Sequence, residues 1–388
     1  EFRRVLFRSD PDIRAGYQKY SDIAIYEKQQ QAEASPAAAA AGSSRAWAWH
    51  RSIRSCARLG GVAIVLGLGA ALIVAAFLPV FSRVFVNPMP VIGIGSAIVL
   101  MAVVGIIDDL IDLNWLVKLG AQLIAAGILA WSGIQIVSLP FGVIALLSPT
   151  MSLALTVFAV VLVMNAINFI DGLDGLVAGV TLIAGAVFFI YSYILATGPG
   201  QTNYFNLATL MTAALCGALI GFLPVNWHPA KMFMGDSGAL VIGLVLAAST
   251  ISVTGQVDPT RIDPGQLVPA FIPLALPLAV LVVPLVDFVL AVTRRLLNGR
   301  SPFSADRKHL HHRLLDMGHT HFQAVLILYA WTLVVAVGAL LFMFVDAPLA
   351  TGIVAAGLVV TTILTIAPLG REKPINLFGD IPEEPTHD

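Results

Sequence analysis

Ten stretches of this chain are apolar for long enough that lipid, rather than water, must be their solvent. They run near residues 59–81, 91–107, 116–139, 152–168, 176–196, 207–223, 239–253, 266–292, 322–345 and 349–369. A helix that crosses about 30 Å of hydrocarbon needs roughly 20 apolar residues. Lipid offers backbone amides and carbonyls no partners, so the spans must be helices packed together. The predicted fold class is therefore all-α: a polytopic membrane helical bundle with about ten transmembrane helices. The stretch 266–292 carries Pro269, Pro273, Pro277 and Pro284 and is expected to tilt or kink. Composition agrees, with 58% hydrophobic residues, 12% charged and a mean hydropathy of +0.87. A net charge of −1 with few basic clusters excludes a nucleic-acid footprint. Cys56 and Cys216 are the only cysteines, which excludes a disulfide framework and a Cys-based metal site.

Basic residues set the sidedness of the loops. One set of alternate connections holds Arg51, Arg54, Arg58, Lys118, Lys231, Arg294, Arg295, Arg300, Arg307, Lys308, Arg313, Arg371 and Lys373. The opposite set holds Arg83 and Arg261. Thirteen against two makes the first set cytoplasmic by the positive-inside rule. Four polar-rich motifs then fall on the cytoplasmic face: VVGIIDDLIDL (103–113), MNAINFIDGLDGLVAGV (164–180), PVNWHPAKMFMGDSGAL (224–240) and RRLLNGRSPFSADRKHLHHRLLDMGHTH (294–321). Motifs from distant parts of the chain that meet on one face point to a site.

Each motif also has a plainer reading. Asp108 and Asp112 lie one turn apart with Asp109 beside them, as at a solvated helix end. Without a basic partner nearby in sequence, however, these carboxylates repel one another and favour a bound cation or proton. Asp171 and Asp174 could cap the following helix, but capping leaves Asn165 and Asn168, still inside an apolar run, unexplained. Asp236 could be an N-cap. His309, His311 and His312, with basic neighbours and no further ligand type spaced for closure, suit an anion better than zinc. Together, carboxylates and amides provide hard oxygen ligands for Mg²⁺, and histidines and arginines provide a phosphate clamp. Helix amino ends at this face also favour phosphate. The site is expected to bind a phosphorylated substrate, a diphosphate above all, at the membrane surface.

GIIDDLIDL, NAINFIDGLDGL, FMGDSG and SPFSADRKHLHHRL, in this order and at these separations, resemble the polyprenyl-phosphate N-acetylhexosamine-1-phosphate transferase superfamily, over about residues 58–370. The superfamily includes the MraY enzymes of peptidoglycan synthesis and the WecA/TagO enzymes that begin other cell-envelope glycans. The resemblance implies an eleven-helix bundle in a bacterial plasma membrane, with the active site on the cytoplasmic face. It implies transfer of a sugar phosphate from a UDP-sugar to a polyprenyl phosphate, with UMP released and Mg²⁺ as cofactor, Mn²⁺ being its substitute. Carried over residue by residue, the metal ligands are Asn168 and Asp236, and Asp108, Asp109, Asp112 and His309 are catalytic. Asn165, Asp171, Asp174, Phe233, Arg307, His311 and His312 bind substrate, with Phe233 suited to stack on uracil. Asp306 and Arg307 precede the histidines and Leu310 interrupts them, as in the WecA/TagO branch, so UDP-N-acetylglucosamine is the expected donor. The implied partners are this donor, polyprenyl phosphate, the bilayer and a second copy of the chain.

Two alternatives remain at this point. One is an MraY-type transferase that uses a muramoyl-pentapeptide donor. The other is a transporter, for which Asp287 inside the span 266–292 is the best residue, although Asp287 could equally pair with Arg294. The chain departs from the family pattern at its amino end, where only RLGGVAI (58–64) survives and one helix is missing. Residues 1–57 read as a hydrophilic segment opening on a cloning scar and containing a low-complexity linker; residues 371–388 read as a cytoplasmic tail.

Overall fold

The protein is described from a computed structural model over residues 60–141, 143–197, 206–254, 279–297 and 309–367. It is a helical bundle: α1 (Gly60–Phe77), α2 (Pro88–Ile111), α3 (Trp115–Trp131), α4 (Pro149–Phe169), α5 (Leu176–Thr197), α6 (Leu207–Asn226), α7 (Gly235–Thr254), α8 (Val282–Leu297), α9 (Leu310–Asp316), α10 (His321–Leu341) and α11 (Ala347–Ile366). Among the described residues eight helices are long and apolar enough to cross a membrane, and α3 is a shorter apolar helix. One antiparallel hairpin, β1 (Ser138–Phe141) with β2 (Val143–Leu146), interrupts the helices.

Local chemistry explains the boundaries. Asn87, Asn114, Ser148 and Asn206 each accept a hydrogen bond from a first-turn amide of α2, α3, α4 and α6. Thr320 and Gln323 form a reciprocal capping box on α10. The expected span 116–139 is too long: α3 ends at Trp131, and Gly133 adopts a positive φ of 96°. There the Ile134 amide donates to the Leu129 carbonyl and the Gly133 amide to Ala130, the closing bonds of a left-handed glycine cap. The expected span 266–292 is described only from residue 279, where α8 takes up its final third and continues to Leu297.

The central element is α7. Within its membrane window 89% of residues are buried, against 11% for α11 at the periphery. Its sequence, GDSGALVIGLVLAASTISVT, is rich in Gly, Ala, Ser and Thr, which lets neighbouring backbones approach closely where lipid gives no hydrophobic drive to association. A Cβ on Gly61 of α1 would lie 2.2 Å from the Gly238 amide nitrogen. On Gly105 of α2 it would lie 2.3 Å from the Ser237 Cα, and on Gly243 of α7 2.7 Å from the Met164 Cα of α4. Three helices therefore touch α7 backbone to backbone. A fourth link is polar: the Asn165 amide of α4 donates to the Oε1 of buried Gln122 in α3 at 2.7 Å and to the Val161 carbonyl at 2.8 Å.

Two stability tests follow from this packing. Gly243→Ala is expected to cost about 1–3 kcal/mol by overpacking against fixed backbone, lowering the thermal midpoint in detergent. Gly352→Ala, whose new methyl meets nothing within 4 Å, should leave the midpoint unchanged or raised. Asn165→Leu should cost about 1–3 kcal/mol, because it strands the Gln122 amide. Gln122→Leu/Asn165→Leu should cost less than either single change, and additive losses would show that the two amides are not a pair.

Candidate active site

Four segments converge at one end of the bundle: the end of α2, the start of α3, the α4–α5 turn and the start of α7. Asp109 sits in the last turn of α2 and uses both carboxylate oxygens on α7. Oδ1 accepts from the Asp236 amide at 3.0 Å, and Oδ2 accepts from the Ser237 amide and hydroxyl at 3.3 and 2.9 Å. It thereby caps the positive end of α7 from another helix. Asp236 is in that first turn, so it is not the cap of its own helix.

Asp108 is 6% exposed. Its Oδ1 accepts from the Leu113 amide at 2.7 Å and its Oδ2 pairs with Lys118 Nζ at 2.5 Å. Lys118, one turn into α3, also pairs with Asp236 at 3.0 Å. Asp108 and Asn168 both act electrostatically on the Asp236 carboxylate, which with Lys118 makes one polar cluster. The carboxylates are thus not without a basic partner, as sequence distance suggested: Lys118 reaches back ten residues across the α2–α3 corner. Asp112 departs from expectation. It follows the last residue of α2 with a left-handed φ of 54°, so it does not continue the helical face of Asp108, and its own amide closes the helix onto the Asp108 carbonyl.

Buried Asn226 stitches the remaining loops together. Its Oδ1 accepts from the Gly175 amide at 3.1 Å and its Nδ2 donates to the Met232 carbonyl at 2.9 Å, which ties the 171–175 turn to the 227–234 loop. Gly175 has a positive φ of 78°, and its carbonyl accepts from the Tyr329 hydroxyl. Asp174 does not cap α5. Its Oδ2 accepts from the Ala230 amide at 3.0 Å and faces His228 Nδ1 at 2.9 Å. His228 and His321 stack with ring centroids 4.2 Å apart, and with Asp174 they present donor atoms all within 4.8 Å of one another. Stacked imidazoles hold their lone pairs in near-parallel planes, so one ring would have to turn before both met a single ion. The half-buried Phe233 sends its carbonyl to the Gly60 amide at 3.1 Å, which anchors the start of α1.

The histidine run lies across the 171–175 turn. A Cβ on Gly172 would be 2.2 Å from His311 Nε2, so the glycine is what lets the ring lie there. His309 and His311 rings are parallel at 5.7 Å, and His311 and His312 lie 4.3 Å apart. Burial, helped by neighbouring His312, His309 and His321, holds His311 well below the ordinary histidine range. His311 is neutral at pH 7 and offers hydrogen bonds rather than charge. Confinement, then the charges of Asp236, Asp109 and Asp174, push the Asp171 carboxyl up to about 7. Asp171 is exposed on the cleft side, so solvent moderates this rise. Arg307 lies outside the described residues.

Of the expected site, Asp108, Asp109, Asn168, Asp171, Asp174, Phe233, Asp236 and the three histidines gather at this end of the bundle. Asn165 is committed to Gln122 instead. Sequence reasoning missed Lys118, His228, Asn226 and His321 as members of the site. His228 and His321 did lie in the quoted motifs, and Lys118 was counted only as a topological charge.

The sequence pattern of glycosyl transferase family 4 matches residues 91–254, which run from α2 to the end of α7. The decaprenyl-phosphate N-acetylglucosaminephosphotransferase of Mycolicibacterium smegmatis is 36% identical over 82% of this chain and 79% of its own length. The same-named protein of Mycobacterium leprae is 39% identical over 81% and 80%. The undecaprenyl-phosphate alpha-N-acetylglucosaminyl 1-phosphate transferase of Escherichia coli is 32% identical over 61% and 62%. An acidic and amide cluster beside a histidine run, at the end of a membrane bundle that shares four-fifths of its length with such relatives, settles the family: this chain belongs to glycosyl transferase family 4, within the polyprenyl-phosphate N-acetylhexosamine-1-phosphate transferase superfamily.

Proposed function

We propose that this protein transfers N-acetylglucosamine 1-phosphate from UDP-N-acetylglucosamine to a polyprenyl phosphate and releases UMP, as the first membrane step of a cell-envelope glycan. The observation that carries the reading is the juxtaposition of Asp108, Lys118, Asp236 and Asn168 with the histidine run across the Asp171 turn. Relatives named for N-acetylglucosamine transfer support this donor over a muramoyl-pentapeptide. A transporter reading loses its best residue, because Asp287 is bonded to His309 and Leu310 rather than set along a pathway.

The donor set fits Mg²⁺. Asp236, Asn168 and Asp108 offer hard oxygens in one place, and Asp109 and Asp171 add further carboxylates around the single lysine, Lys118. When bound there, Mg²⁺ would neutralise charge on the donor diphosphate. The chain's own groups account for the rest. A phosphate oxygen of the acceptor attacks the β-phosphorus of the donor; the bond from that phosphorus to the UMP oxygen breaks, and one phosphoanhydride replaces another. Asp108 accepts the acceptor's remaining proton, and Lys118 holds the carboxylate in place beforehand and is left to Asp236 once Asp108 is neutral. The histidine run and Arg307 hold the donor's diphosphate oxygens as UMP leaves, and Phe233 stacks on the base. Thirteen basic residues on one set of loops support a cytoplasmic site.

Purified protein given polyprenyl phosphate and Mg²⁺ is expected to release UMP from UDP-N-acetylglucosamine and not from the UDP-muramoyl-pentapeptide; turnover of the second donor alone would move the chain to the other branch. Asp108→Asn should lower kcat by about 10²-fold or more, in the range of lost general-base catalysis. Chelation should abolish turnover, and the Mg²⁺ concentration for half-maximal rate should rise as pH falls from about 8 to about 6, because Asp171 gains its proton in that window. A half-maximal concentration that is flat across this range would separate Asp171 from the metal. Cysteines at Asn114 and Lys231 should be labelled from the cytoplasmic side, and one at Arg83 from outside.

A further inference from the structure

Asp287 is an ionisable residue 1% exposed, the one charged side chain in its helix ahead of Arg294 and Arg295, and the reaction above does not use it. A buried carboxylate this deep is costly unless its oxygens are satisfied. Both are. Oδ2 faces His309 Nδ1 at 2.9 Å, and Oδ1 accepts from the Leu310 amide at 2.7 Å. Leu310 is the first residue of α9, the short helix that carries His311 and His312, and His309 is its N-cap without a side-chain cap of its own. One side chain of α8 therefore holds both the ring of His309 and the start of the histidine helix.

The rest of the ring is fixed by packing. Phe169, the residue after Asn168, meets His309 edge-on at 5.8 Å and 68°, and stacks on Phe288 at 5.3 Å. Arg295, one turn from the end of α8, lies over Phe169 at 5.1 Å. Imidazole with its Nδ1–H given to a carboxylate has one polar atom left, Nε2, and the tautomer and ring plane are set by the partner rather than by the substrate.

We propose that Asp287 is a positioning residue for the transfer reaction. Through His309 Nδ1 it fixes the tautomer and orientation of the histidine that offers Nε2 to the donor diphosphate. This rests on the reading that His309 contacts the donor. The rival account is that Asp287 only caps α9 through Leu310.

The two accounts separate by mutation. Asp287→Asn keeps an acceptor for the Leu310 amide but turns an NH₂ group toward His309, and is expected to lower kcat/KM by roughly 10–100-fold, as loss of an orienting partner does. Leu310→Pro removes the capped amide alone; His309 at φ −67° and ψ 160° already suits a residue before proline, and proline suits a first helical position. Leu310→Pro should keep activity within about threefold of wild type, whereas a pure capping role would make it as slow as Asp287→Asn. His309→Gln should be impaired, and Asp287→Asn/His309→Gln should be no slower than His309→Gln alone.

Multiplicative losses in the double variant, or an unaffected Asp287→Asn, would overturn the role of Asp287 while leaving His309 in the site. A fully active His309→Gln would instead sink the reading of His309. Should Asp287→Asn fail to fold in detergent, Asp287→Glu keeps the charge and displaces the ring by one methylene. It should fold and lose at least about tenfold, and wild-type kcat/KM from that variant would equally overturn the proposal.

Discussion

The site depends on the depth at which α7 begins. Asp109 of α2 takes two amides and a hydroxyl of α7 on its carboxylate, and this fixes the amino end of the most buried helix against the carboxyl end of its neighbour. Because Asp236 and Ser237 are the residues so held, the same bonds decide where Asp236 stands relative to Asp108 and Asn168. The glycine contacts that bring α1, α2 and α4 onto α7 set the lateral spacing. Small residues in the membrane and carboxylates at its edge are thus two halves of one arrangement: the first allows the approach, and the second fixes its height.

Charge in the site is arranged around compensation rather than burial alone. Lys118 bridges Asp108 and Asp236, Asp109 is spent on the α7 amides, and Asp171 is left with a carboxyl that titrates near neutrality. On the other side of the turn His311 is held neutral, and the basic residues of the same sequence segment supply the positive charge there. On the proposed reading, a diphosphate entering between the two sides would meet a net negative cluster that favours a cation and a neutral ring that can donate to its oxygens. Apposition of that kind suits a substrate that arrives together with a divalent metal.

Much of this was legible in the chain. Apolar run length gave the helices, a local signal, and the resemblance of the polar motifs to a family singled out Asp108, Asp109, Asn168, Asp236 and the histidines, which the fold brings to one end of the bundle. Errors came where a partner lies far away in sequence. Asp112 looked like a face-mate of Asp108, but a left-handed cap ends the helix between them. Asn165 was expected to bind substrate because nothing local explained it, and its hydrogen-bond partner Gln122 is 43 residues away. Asp174 looked like a cap, yet it bonds across to Ala230 and His228. Lys118 had no local motif around it and became a site residue only through the α2–α3 corner. The span near 116–139 was overcalled because Ile134, Ile136 and Val137 continue an apolar run that Gly133 has already turned out of the helix.

The length of α3 bears on how the acceptor arrives. A helix of 17 residues rises about 25 Å, several ångströms short of the roughly 30 Å of hydrocarbon it must match. Such a mismatch is met by local thinning of the bilayer or by flanking groups reaching outward. Lys118 stands one turn from the short end, engaged with Asp108 and Asp236 rather than free to extend toward the headgroups. With its lysine turned inward to two carboxylates, the amino end of this short helix places Asp108 and Asp236 beside the end of an apolar run, so a phosphate on a lipid tail needs to travel little from its bilayer to reach them.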